Sequence, residues 1–157
     1  MNTLNWEIDN HNKIMARNEM RLSFSAISIN ESFARTAVAA FVTGLNPTVS
    51  EIMEIKTAVS EAVTNAIIHG YENRGEDKLV HLNCRLDGRE LYIEVVDDGI
   101  GIPDIAQAME PLYTSKPEQE RSGMGFAVME NFMDYVNVTS APELGTTVVM
   151  MKKLPLL

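Results

Sequence analysis

The chain has 157 residues, a length suited to one folded core, and 45% of them are hydrophobic, enough to fill it. Its formal net charge of -9 repels a phosphate backbone, which argues against direct nucleic-acid binding and favours a basic protein partner. One cysteine, Cys84, excludes an intramolecular disulfide, three scattered histidines lack zinc-ligand spacing, and neither a leader-like N-terminus nor an apolar run of about 18 residues is present, so a cytoplasmic protein is expected.

Residues 1–16 are rich in Asn and charge without a sustained period and read as a disordered extension, with Met15 as an alternative start, so a single domain is expected over 17–157. Leu22, Phe24 and Ala26 alternate with Arg21, Ser23 and Ser25, the period of a half-buried strand. Ser28 and Glu31 have capping-box spacing and predict a helix to about Val42, closed by Gly44 and Pro47. Thr48 and Glu51 repeat that spacing and open the longest helix, along which Ile52, Ile55, Val59, Ala62, Val63, Ala66 and Ile67 recur up to Gly70.

After a loop rich in Glu, Asn, Arg and Gly, a second alternation runs through Val80, Leu82, Cys84 and Leu86. Asp87 and Gly88 then turn the chain into a strand of Leu91, Ile93 and Val95. Residues 98–122 read as a long loop with at most one short helix, a length that signals function or disorder in a compact domain. Phe126, Met129, Phe132 and Met133 predict a helix, and the runs 136–141 and 146–152, turned at 142–145, predict two last strands. Strands grouped as antiparallel pairs predict an α+β fold, a two-layer sandwich rather than a doubly wound parallel sheet. Cys84 shares the parity of core residues and reads as packing, and the ten methionines read as core or interface filler.

Some residues carry chemistry beyond packing. Glu61, Asn65 and His69 lie at i, i+4 and i+8, the first two on one helix face opposite much of the apolar stripe; alone they read as a solvated polar face. Asp97 continues the core parity of its strand, and a carboxylate placed there needs a protein donor or a ligand. Gly99 and Gly101 follow it and would let a planar ligand approach the backbone. Ser122, Gly123, Met124 and Gly125 stand before a helix, where backbone N–H groups at the positive end suit phosphate, although capping by Ser122 accounts for them equally well.

The segments SEAVTNAIIHGY (60–71), DDGIGIP (97–103), RSGMGF (121–126) and GTT (145–147) resemble, in order and spacing, the four boxes of the ATPase superfamily that includes histidine kinases and gyrase-type ATPases. NESFAR (30–35), PLYTSKPEQERSGMGF (111–126) and MENFMD (129–134) narrow the resemblance to the serine-kinase anti-sigma factors of spore-forming bacteria, over nearly all of 17–153. It implies a histidine-kinase-like ATPase sandwich with a mainly antiparallel mixed sheet, three main helices and a lid at about 104–122. It further implies ATP and Mg²⁺, with Asn65 on the metal, Asp97 on the adenine amino group and Thr146 supporting the base. Gly99, Gly101, Gly123 and Gly125 would leave room for nucleotide and lid, while Ser122, Gly123, Met124 and Gly125 donate N–H groups to phosphate.

Glu61 would be the general base toward a serine of an anti-anti-sigma protein, Arg35 a contact for the sigma factor or that antagonist, and the protein a homodimer. Thr114 and Lys116 are assigned no phosphate contact. The alternative function is an ATP-dependent protein-binding module without transfer, since Asn65 and Asp97 suffice for nucleotide binding. A third reading, the catalytic domain of a sensor histidine kinase, lacks support because His11 lies in the polar extension and no dimerisation helix precedes the domain.

Overall fold

A computed structural model describes residues 17–110 and 125–155. Alternating strands assemble a five-stranded sheet of β1 (Asn18–Ala26), β2 (Gly75–Asp87), β3 (Glu90–Asp97), β4 (Tyr135–Ser140) and β5 (Thr146–Lys153) in the order β1-β2-β3-β5-β4. The period of two puts one side chain in two on the same face, and the register aligns them: Leu22, Leu82, Val95, Val148 and Val138 form a row across all five strands. Every ladder is antiparallel, so the parallel component expected of a mixed sheet is absent among the described residues.

Helices α1 (Ile29–Phe41), α2 (Val49–Asn65) and α4 (Gly125–Phe132) cover that face, and α2 packs between the other two, presenting buried Ile55, Ala58, Val59, Ala62 and Val63. The α3 turn (Ile105–Ala108) follows β3. The result is the two-layer α+β sandwich anticipated from the strand order. Each fully buried Ile, Leu or Val in it, such as Ile55, Leu82 and Val59, contributes about 1.5–3 kcal/mol of hydrophobic stabilisation. No helix among the described residues is long and apolar enough to cross a membrane.

Two helix starts with the same spacing behave differently. Thr48 accepts from the Glu51 N–H at 3.1 Å while Glu51 accepts from the Thr48 N–H at 2.7 Å, the reciprocal box expected of extended backbone at the cap. Ser28 already has helical φ and ψ of -58° and -30°, so its hydroxyl does not cap. Glu31 instead pairs with Arg35 at 3.1 Å.

The expectation of one α-helix to Gly70 is also corrected: residues 66–70 form a π turn in which the Tyr71 N–H bonds Ala66 O at 3.0 Å. The strand after it starts at Gly75, earlier than the apolar alternation from Val80 shows, because Gly75 pairs with Ala26 across a register shift. Cys84 is buried in the core, where desolvation pushes its thiol up to about 12, which suits a packing role.

Candidate functional site

The long helix and the middle of the sheet part to leave a cavity of about 370 Å³. Its walls are apolar where α2 contributes Ala62, the π turn Ala66, the sheet Val95 and Val148, and α4 Phe126. Small residues on the helix keep it open, since a larger side chain at Ala62 or Ala66 would fill the space between the layers.

Asp97 stands at one end of this cavity. Its place on β3 follows the parity of Leu91, Ile93 and Val95, and it is only 5% exposed. Burial pushes its carboxyl up to about 6; backbone N–H groups of Gly99 and Thr146 partly oppose that rise, and the neighbouring Asp98 charge adds to it. The Gly99 N–H donates to its Oδ1 at 2.9 Å. The carboxylate therefore remains mostly ionised at neutral pH as a buried acceptor lining an apolar space, which is suited to a ligand N–H.

The loop after Asp97 is pressed between two other segments. A Cβ on Gly99 would lie 2.0 Å from the Gly70 carbonyl oxygen, and the same oxygen accepts from the Ile100 N–H at 3.0 Å. Gly70 itself abuts Asp97, whose Oδ1 would be 2.6 Å from an added Cβ. The π turn thus sets Gly70 where backbone, carboxylate and loop meet. On the other side the Glu143 N–H donates to Ile100 O at 2.7 Å, and Gly101 packs on the Ala141 carbonyl. Thr146, opposite Asp97 in the β3–β5 register, is buried at the cavity wall.

At the other end Gly125 opens α4. A Cβ there would lie 3.2 Å from Glu61 Oε2, 3.2 Å from Asn65 Nδ2 and 3.3 Å from Asn65 Oδ1, so both polar side chains of α2 converge on the N-terminal end of α4. That end carries partial positive charge, which favours the Glu61 carboxylate and would favour an anion beside it. Asn65 also lines the cavity, as does His69.

Asp97, Gly101, Thr146, Gly125 and Asn65 therefore line one cavity, while Gly99 packs on Gly70 behind Asp97 and Glu61 lies beside Gly125. Arg35 is elsewhere, on α1 in an ion pair with Glu31, its side chain 39% exposed. Ser122, Gly123 and Met124 lie outside the described residues, as do residues 1–16 and the lid beyond 110. Within 104–110, Asp104 caps the α3 turn by accepting from the Gln107 N–H at 2.9 Å.

Sequence reasoning missed two residues that fix the Asp97 end. The Tyr71 hydroxyl donates to Leu79 O at 2.7 Å and accepts from the Asp98 N–H at 2.8 Å, which anchors the peptide following Asp97. Ser140 bonds to Ile102, Gly145 and Thr146. Neither has a local signal, because the bonds to Asp98 and Ile102 join segments 27 and 38 residues away.

Residues 26–152 match the histidine kinase-like ATPase domain family. An anti-sigma F factor of Oceanobacillus iheyensis is 60% identical over 138 residues, covering 88% of this chain and 94% of the relative. One from Bacillus subtilis is 56% identical with the same coverage. Among solved structures, a Mycobacterium tuberculosis protein containing RsbU and RsbW domains superposes with a TM-score of 0.62 at 18% identity, covering 87% of this chain and 32% of that one, a likeness of fold. With the matched domain spanning most of its length and such relatives aligned almost end to end, this chain belongs to the histidine kinase-like ATPase family and, within it, to the anti-sigma F factors.

Proposed function

We propose that this chain is an ATP-dependent protein serine kinase that also binds and inhibits a sporulation sigma factor, and that its phosphoryl acceptor is a serine of an anti-anti-sigma protein. The observation that carries the kinase reading is the spacing of two unlike chemistries on one cavity. A buried acceptor, Asp97, stands at one end, and a carboxylate and an amide, Glu61 and Asn65, meet a helix N-terminus at the other. Adenine suits the first and a polyphosphate the second.

In this reading Asp97 would accept a hydrogen bond from the adenine amino group, and Thr146 would support the base from β5. Gly99 and Gly101 would let the loop after Asp97 close onto the Gly70 and Ala141 backbone and so hold Asp97 toward the base, and Gly125 leaves space beside Asn65. Ser122, Gly123 and Met124 would add backbone donors to phosphate. The amide oxygen of Asn65 is a hard donor of the kind Mg²⁺ takes, and the ion would neutralise phosphate charge. Glu61 would accept the serine proton at a carboxylate oxygen as the serine Oγ bonds the γ-phosphorus and the bridging bond to ADP breaks.

The relatives' name supports the sigma-factor role, and the partly exposed Arg35 on α1 supports a partner contact there. A cytoplasmic homodimer completes the proposal. Incubation with γ-labelled ATP, Mg²⁺ and the purified cognate anti-anti-sigma protein tests it: label on a serine of that protein is expected. ATP-dependent complex formation with no transferred label would instead make the chain a binding module.

A further inference from the structure

The hydroxyl of Ser140, at the end of β4, sits among three partners. It accepts from the Ile102 N–H at 2.8 Å, donates to Gly145 O at 2.8 Å and lies 2.9 Å from Thr146 Oγ1. A serine hydroxyl has one proton, and a carbonyl oxygen can only accept. The Ser140 proton is therefore committed to Gly145, and the Thr146 contact must be a donation from Thr146 to Ser140. With its own proton spent, Thr146 Oγ1 offers only lone pairs to anything else in the cavity it lines. Its cross-strand neighbour Asp97 is likewise an acceptor when ionised. Two acceptors side by side attract an exocyclic amino group and repel a carbonyl oxygen.

We propose that Ser140 is a positioning residue that fixes Thr146 as a hydrogen-bond acceptor and thereby makes the site discriminate 6-aminopurine from 6-oxopurine nucleotides. The proposal rests on the ATP reading of the cavity and adds how the base is selected. Removing the Ser140 hydroxyl leaves Thr146 able to rotate and donate to a carbonyl, so the penalty against an oxopurine shrinks. It also strips Ile102 N–H and Gly145 O of a partner, an effect that would weaken both nucleotides alike.

Calorimetric affinities of the full chain for ATP and for inosine triphosphate separate these effects. The wild-type protein is expected to prefer ATP, and Ser140→Ala to reduce the ATP-to-ITP affinity ratio by about tenfold, the scale of one lost polar interaction. Thr146→Val should reduce the ratio similarly, and the double variant no further, because Ser140 acts through Thr146. An unchanged ratio in Ser140→Ala, even with both affinities lowered together, overturns the proposal and leaves Ser140 a structural tie. Should Ser140→Ala fail to fold, Ser140→Cys keeps a weak acceptor of similar shape and is expected to give an intermediate ratio; a wild-type ratio there overturns the proposal as well. A wild-type chain that binds neither nucleotide overturns the ATP reading itself, and this assignment with it.

Discussion

At the Asp97 end of the cavity backbone meets backbone: the Cα of Gly99 rests on the Gly70 carbonyl, with an added Cβ only 2.0 Å from its oxygen. At the Gly125 end the nearest neighbours of an added Cβ are side-chain atoms of Glu61 and Asn65, no closer than 3.2 Å. Backbone cannot step aside without moving whole elements, whereas side chains turn about their own bonds. The comparison teaches that the Asp97 end is an all-or-none construction, and that the Gly125 end responds to substitution in graded, chemically separable steps.

Gly99→Ala breaks the first kind of end and carries the largest expected effect. It should cost more than about 3 kcal/mol in chemical denaturation and abolish ATP binding, because Gly70, Ile100 and Asp97 share the displaced junction. A wild-type denaturation midpoint would show that the junction yields after all.

The burial of Asp97 predicts a pH dependence of similar size. A carboxyl raised from 3.8 to about 6 binds more protons folded than unfolded, so its contribution to stability is fully present below the unfolded value and is lost as pH rises through 6. The rise corresponds to roughly 3 kcal/mol, and Asp97→Asn should remove that slope from stability measured between pH 4 and pH 7. Identical profiles for the two proteins would count against a strained carboxylate.

Glu61→Gln sharpens the contrast at the other end. Gln keeps the shape of the side chain but cannot take a proton, so single-turnover phosphorylation of the antagonist should fall by on the order of a hundredfold while ATP and sigma-factor affinities hold. A wild-type rate would reduce Glu61 to part of a polar helix face. Asn65→Ala is expected to have the smallest effect, lowering by about tenfold the gain in ATP affinity that Mg²⁺ confers, since magnesium keeps several waters and uses few protein ligands. Titrations with and without EDTA decide it, and an undiminished magnesium gain would remove Asn65 from the metal.

The same contrast explains what the sequence made legible. Parity along β3 placed Asp97 on the core side, and helical spacing placed Glu61 beside Asn65, because each is a property of one element. The box at Thr48 was legible for the same reason, while the identical spacing at Ser28 failed because the preceding turn already holds helical backbone. The Tyr71 bridge to Asp98 and the Ser140 bond to Ile102 join segments 27 and 38 residues apart, and no local period encodes them or the π turn at 66–70. Buried Lys152, which donates to Phe132 O at 2.7 Å and pairs with Glu54 at 2.8 Å, is another such case: its strand position shows the core side, but only α4 and α2 together supply its partners.

The central claim is that Asp97 holds an adenine nucleotide, and calorimetric titration of ATP into the folded Asp97→Asn variant beside the wild type tests it most directly. The wild-type protein should bind ATP, and the variant, with an amide in place of an acceptor-only carboxylate, should lose at least about a hundredfold in affinity while keeping its fold. Undiminished ATP affinity in the folded variant would contradict the account.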